Sequence, residues 1–293
     1  MSENNPTSNR EAVTTVLDGF SLEMTGKDVA ALHEARSVIP QGTRINVTYL
    51  ASEDLNTRVA AVKAVQELGF VPVPHISARR LESQDELEGF LERLREVNAV
   101  EHVFVVGGDP ATPAGPYPDA LSVIRTGLLE KYGVREVGIA GYPEGHPDIS
   151  SEVLWRHLED KTAELRERGL STVVLTQFAF DTAPVIDWVR DARSRGIDAE
   201  LRIGVPGPAG VKRLLSFARR FGIGANAMIV KKYGFSITNL LGTAGPDRFL
   251  NDLSALLAAE GLSHGVKIHF YAFGGLTPTA QWAQRFIDQG SVK

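Results

Sequence analysis

The chain has 293 residues, 43% of them apolar, with 31 Lys and Arg against 36 Asp and Glu for a formal charge of −5. That is enough apolar side chain for a sizeable core, and charges interspersed without a basic block argue against a nucleic-acid footprint or an anionic-membrane surface. No cysteine occurs, which removes disulfides, iron–sulfur clusters, thiolate zinc sites and a thiol nucleophile, and points to a cytoplasmic protein.

Residues 1–15 begin with the polar run MSENNPTSNREA, without an apolar h-region, and are expected to form a flexible tail ahead of a single domain over 16–293. Gly19 to Met24 then reads as a strand and Lys27 to Val38 as a helix, with Val29, Leu32 and Val38 at helical spacing. The unit repeats. Arg44 to Tyr49 is a strand, followed by a helix from Ser52, as N-cap, to Leu68, closed by Gly69. The third strand is Val71 to His75, with a helix from Ser83 to about Val97 whose Ser83-Gln-Asp-Glu86 has capping-box spacing. The fourth, His102 to Val106, runs into Gly107-Gly108-Asp109, and its helix spans Asp119 to Tyr132. Strands Glu136 to Gly141 and Thr172 to Gln177 lead to helices Ser151 to Arg168 and Thr182 to Arg195. Ala199 to Gly204 and a helix from Val211 to Phe221 make the seventh unit. The rhythm then breaks for roughly forty residues, with a polar loop at Thr243 to Pro246 and a helix to about Glu260. Strand Val266 to Phe273 and helix Thr277 to Gln289 restore it. Eight β/α alternations predict a (β/α)8 TIM barrel with a helical insertion before the eighth strand. No Gly-x-Gly-x-x-Gly follows the first strand, which disfavours an open doubly wound sheet. No stretch approaches the roughly 18 apolar residues of a membrane span.

Chemistry in such barrels sits where the strands end. The ends read Glu23, Thr48 with Tyr49, His75, Asp109, Tyr142, Gln177, Gly204 and Tyr271. No strand ends in lysine, against a Schiff-base enzyme, and no His pair with a carboxylate has tight ligand spacing, so no metal is expected. Each residue also has a plain reading. Glu23 is either a catalytic acid or a rim partner of Arg44 or Lys27, and Asp109 either functional or an Asx cap of the loop to Pro118. His75 could be a satisfied core histidine, Gln177 a loop tie, and His146 a helix-entry residue. The run Gly204 to Gly210 before a helix could hold a phosphate or be a tight loop, since Pro206 and Pro208 lack N–H donors. Gly107-Gly108 lets backbone approach a ligand closely.

At these residues the sequence resembles the methylenetetrahydrofolate reductase family, from Phe20 to about Gln289. The matching pieces are Glu23, Val47-Thr48-Tyr49, Pro74-His75, Gly108-Asp109, Tyr142-Pro-Glu-Gly-His146-Pro147, Thr176-Gln177-Phe-Ala-Phe-Asp181 and His269-Phe270-Tyr271. Departures fall on one side. An Arg of the family is Gly107 here, and its Asp and Asn on the fifth helix fall in Leu154-Trp155-Arg156-His157-Leu158, with Lys161 alone aligned. The closing Leu-Asn-Arg is replaced by Phe273-Gly274-Gly275. Folate-side residues persist while flavin-side residues erode, as in the flavin-independent branch of the family.

The resemblance implies reduction of 5,10-methylenetetrahydrofolate by direct hydride transfer from NADH or NADPH, with FAD absent. Glu23 would protonate N10 as the imidazolidine ring opens. Asp109 would bind the pterin edge and favour the cationic iminium, and Gln177, with Tyr271 and Phe273, would bind substrate. Thr48, His75, Gly108, Tyr142, His146 and Lys161 would line the nucleotide side. An FAD-dependent reductase and a non-catalytic folate-binding barrel are the alternatives.

Overall fold

A computed structural model describes residues 12–13, 15–220 and 243–291. Eight strands pair in parallel around a closed barrel: β1 (Ser21–Met24), β2 (Arg44–Val47), β3 (Val71–Ser77), β4 (His102–Val106), β5 (Glu136–Gly141), β6 (Ser171–Phe178), β7 (Glu200–Pro206) and β8 (Val266–Tyr271). Each strand lies beside its neighbours in sequence, and β8 closes on β1 with Glu23 opposite Tyr271. The TIM barrel expected from the β/α rhythm is the fold. Around it run α1 (Val29–Ala35), α2 (Leu55–Glu67), α3 (Gln84–Glu96), α4 (Ala120–Ile124), α5 (Leu128–Tyr132), α6 (Ser151–Glu167), α7 (Thr182–Ser194), α8 (Val211–Arg220), α9 (Asp247–Ala259) and α10 (Leu276–Ser291). Helix α9 is the helix of the expected insertion and packs on α7. Ahead of it Thr243–Ala244, in the expected polar loop, forms a short strand that pairs antiparallel with Ala209–Gly210, and residues 221–242, Phe221 among them, lie outside the described residues.

Alternation along each strand sorts the side chains. Leu22, Ile45, Ile76, Val103, Ile139, Val174, Ile203 and Phe270 join the main core that the helices cover. A separate apolar cluster of Val73, Phe104 and Leu175, with Val106 and Ala140 against it, fills part of the barrel interior. Below it the N-terminal end of the barrel carries charge. Arg44 grips both oxygens of Glu136, His102 Nδ1 lies 3.2 Å from the same carboxylate, and Arg202 pairs with Glu200 at 2.7 Å. Burial alone would raise the Glu136 carboxyl, but His102 and Arg44 pull it down to about 2.

Several boundaries differ from the expectation. Residues 12, 13 and 15–17 are helical, and Val13, Val16 and Leu17 are buried in the core, so the flexible tail does not extend to 15; residues 1–11 lie outside the described residues. The cap of α2 is Asp54, whose carboxylate accepts from Thr57 N at 2.7 Å, rather than Ser52. Ser83 does cap α3, but Glu86 accepts from Glu82 N instead of closing the box on Ser83. The single helix expected from Asp119 to Tyr132 is two, because Gly127 takes φ +73°, a left-handed turn that breaks the ladder. Strand β8 ends at Tyr271, two residues before the expected Phe273.

Candidate active site

Strand alternation puts Ser21 and Glu23 on one face of β1, and His269 and Tyr271 on one face of β8. Register brings the two pairs side by side, Ser21 opposite His269 and Glu23 opposite Tyr271. Ser21 Oγ lies 2.8 Å from His269 Nδ1, and His269 Nε2 faces Glu23 Oε2 at 3.7 Å. On the other flank Asn46, opposite Glu23 on β2, donates from Nδ2 to His75 Nε2 at 3.2 Å. Glu23 therefore stands between two buried histidines with its side chain 19% exposed. Burial pushes its carboxyl up to about 7, against the opposing pull of His75. Burial also lowers His75 to about 4 and His269 to about 3, so both rings are neutral at neutral pH. A carboxyl that stays half-protonated near pH 7 beside neutral imidazoles is equipped to give up a proton.

Aromatic rings wall one side of this group. Phe178 lies 5.3 Å from both Tyr271 and Phe273 between ring centres, and Tyr271 OH donates to Thr176 O at 3.1 Å. Burial drives the Tyr271 phenol well above its ordinary value, so it acts as a hydroxyl. Gln177 stands where the β6–β7 register slips between Leu175 and Phe178, an irregularity that re-aims a side chain. Its amide oxygen accepts from Phe178 N at 3.2 Å. Thr48 follows β2, its N–H donating to Met24 O and its buried hydroxyl without a hydrogen-bond partner.

The other expected residues come from the loops and helices that follow the strands, and Tyr142 is near enough to Tyr271 to act on its phenol. Asp109, on the loop after β4, is 79% exposed and accepts from Arg80 Nε at 3.0 Å and Nη2 at 2.5 Å. Gly108 takes φ +93°, and a Cβ there would meet Ser77 Oγ at 2.2 Å, so only glycine fits beside β3. Tyr142 and His146 pack edge to face at 5.6 Å, and His146 Nδ1 accepts from Asp148 N in the turn ahead of Ser150, which caps α6. Lys161 is buried on α6, held down to about 8 by burial, with Asp119 the charge that opposes the shift. No sequence signal singles out Arg58: it is buried, donates to His75 O at 2.8 Å, and lies 4.2 Å over Tyr49 and 4.4 Å over Phe90. Asn46 and Ser21 were missed too, although their place two residues from the strand-end signals was available.

On α6 the stretch that departs from the family resemblance is filled by packed side chains. Trp155 stacks on Trp188 at 5.6 Å and 19°, the Arg195 guanidinium covers it at 4.6 Å, and Leu158 is buried. Trp155 and Leu158 thus stand where the family resemblance has an Asp and an Asn. Between α6 and α7 a cavity of about 330 Å³ opens beside Tyr142, walled by Pro143, Trp155 and Trp188. Among the described residues no cluster of three or more His, Asp or Glu could hold a metal ion, and no helix is long and apolar enough to cross a membrane.

The chain is similar in sequence to known proteins. A 5,10-methylenetetrahydrofolate reductase of Pectobacterium carotovorum subsp. carotovorum is 26% identical over 183 residues, 59% of this chain and 57% of that one. Methylenetetrahydrofolate reductase (NADH) 1 of Arabidopsis thaliana is 26% identical over 151 residues, 47% of this chain and 25% of its own length. This chain thus spans little more than half of the bacterial relative. Dihydropteroate synthase (FolP) from Thermus thermophilus superposes with a TM-score of 0.48 at 13% identity over 93% of each chain. The sequence model of the family described as Methylenetetrahydrofolate reductase matches residues 23–234, from the acid on β1 onward, and the chain belongs to that family.

Proposed function

We propose that this chain reduces 5,10-methylenetetrahydrofolate to 5-methyltetrahydrofolate, taking hydride directly from NADH or NADPH without a flavin. The observation that carries this reading is Glu23, a carboxyl raised to about 7 at the barrel mouth between two neutral histidines. Ring opening needs a proton on N10 as the C–N10 bond breaks, and Glu23 supplies it. The resulting iminium accepts hydride on its methylene carbon. Phe178, Tyr271 and Phe273 offer flat surfaces for a pterin, Gln177 an amide for its edge, and Asp109 a carboxylate for its amidine-like face and for the iminium charge. Thr48, His75, Gly108, Tyr142, His146 and Lys161 are assigned to the nucleotide side, and of these Tyr142 lines the cavity between α6 and α7. The lack of cysteine suits a reducing cytoplasm.

Direct transfer is supported by the apolar packing of α6 and by Gly107 in place of the family's arginine. Steady-state kinetics with both substrates varied test it. Sequential kinetics, a colourless protein, no gain in rate on adding FAD, and undiluted deuterium in the methyl product from stereospecifically labelled NADH are expected. Ping-pong kinetics with a stoichiometric absorbance band near 450 nm would assign the flavoprotein mechanism instead, and folate binding without turnover would leave a binding barrel.

A further inference from the structure

The His-Phe-Tyr stretch on β8 contributes a fully buried imidazole that neither the substrate nor the nucleotide assignment uses. Ser21 holds one ring nitrogen of His269 at 2.8 Å. The other, Nε2, has no hydrogen-bond partner, and the group it faces is Glu23 Oε2 at 3.7 Å. A buried ring nitrogen left without a partner is costly, so its orientation needs a reason. Hydrogen bonds in catalytic groups are often long before substrate binds and shorten in the complex.

We propose, resting on the assignment of Glu23 as the acid, that His269 is its positioning residue: tethered at Nδ1 by the Ser21 hydroxyl, it presents Nε2–H to Oε2 and so directs the other carboxyl oxygen, with its proton, at the reacting nitrogen. The proton passes from Glu23 to N10 while the C–N10 bonding pair goes to N10. Glu23 is left as a carboxylate, which Nε2–H stabilises as its charge develops. The hydride then passes from the dihydronicotinamide to the iminium carbon, leaving the oxidised nicotinamide, and solvent reprotonates Glu23. His269 neither gains nor loses a proton; burial beside Arg202 keeps it neutral across this range. The groups acting on Glu23 are His75 from β3 and His269 from β8, with Tyr271 sensing its charge and Arg58 acting on His75 in turn.

The test compares His269→Asn, which keeps an amide near Ser21 but loses the distal nitrogen, with His269→Gln, whose amide N–H reaches the Nε2 position. In the Asn variant kcat is expected to fall about tenfold or more with the folate KM within about twofold. The descending limb of the kcat–pH profile should move to higher pH, because the carboxylate has lost a donor. The Gln variant should recover most of the turnover and the original limb. Ser21→Ala, which removes one hydroxyl, should move the limb the same way by less and carries the test if the Asn variant does not fold. On a Glu23→Gln background, His269→Asn should cost nothing further. If Glu23→Gln is inactive while His269→Asn and Ser21→Ala keep the wild-type rate and limb, the His269 proposal alone falls. Equal losses in the Asn and Gln variants without a shifted limb overturn it in favour of packing. Full turnover in Glu23→Gln removes the acid assignment itself, and this proposal with it.

Discussion

Glu23 is where one residue decides most. Replacement by Gln keeps size and hydrogen bonding but removes the proton, so kcat is expected to drop by about 10²–10⁴-fold with little change in folate affinity. More than about a tenth of wild-type turnover in that variant would exclude Glu23 as the acid. Because its carboxyl is raised to about 7, the acid form is present below that pH and is lost as pH rises through it. The kcat/KM profile should therefore fall about tenfold per unit on the alkaline side, and a flat profile from pH 6 to 9 would contradict the assignment. Asp109 poses a different problem, since it is exposed and paired with Arg80. An exposed ion pair is worth only about 0–1 kcal/mol, so a bound pterin can displace Arg80 at small cost. Asp109→Asn is expected to raise the folate KM and lower kcat together. Unchanged constants would confine Asp109 to its loop. The sequence pointed to both acids through their places at strand ends, but it did not reveal that one is sheltered and the other solvated.

Single elements show where local rules suffice and where neighbours intervene. Helix starts follow acceptor side chains, as at Ser83 on α3 and Asp119 on α4. The choice of Asp54 over Ser52 for α2 depended on where the loop after β2 rejoined the barrel, which spacing alone does not give. The α4–α5 break illustrates the same point, because an isolated glycine inside a helical pattern is compatible with continuation until its φ is known. Gly127→Ala forces a side chain into φ +73° and should destabilise the protein by about 1 kcal/mol or more. Urea unfolding measures this, and a midpoint at or above wild type would mean that the helix simply closes over the turn. Helix α6 is legible in the sequence as a helix, and its Trp155 and Leu158 as departures from the resemblance. That Trp155 is sandwiched between Trp188 and Arg195 became visible only with α7 in place.

At the scale of the whole barrel, the two ends have opposite duties. The C-terminal mouth keeps a carboxyl protonated, while the N-terminal end is closed by Arg44, Glu136, His102, Glu200 and Arg202. Glu136 is lowered from 4.5 to about 2 in the folded chain, so its contribution to stability is complete above pH 4.5 and is lost as pH falls toward about 2. That contribution is on the order of 3 kcal/mol. Glu136→Gln should lower the melting temperature at pH 7 and flatten the loss of stability between pH 4.5 and 2.5; an acid limb identical to wild type would show that other carboxylates govern it. This charge layer is not visible in the sequence, where Arg44 is a candidate rim partner of Glu23 and Glu136 a strand start. The residues meet only when β2, β4, β5 and β7 are closed into a ring. What the sequence determined by itself was the repeat of strand and helix, hence the barrel, and the identity of the side chains at its strand ends, because periodicity and turn chemistry are local. Tertiary structure decided which of those side chains share a desolvated space. Ser21, Glu23, Asn46, His75 and His269 come from four strands up to 248 positions apart, and barrel register makes them one group. Burial in that group is what moves a carboxyl from an ordinary surface acid to one still protonated near neutral pH.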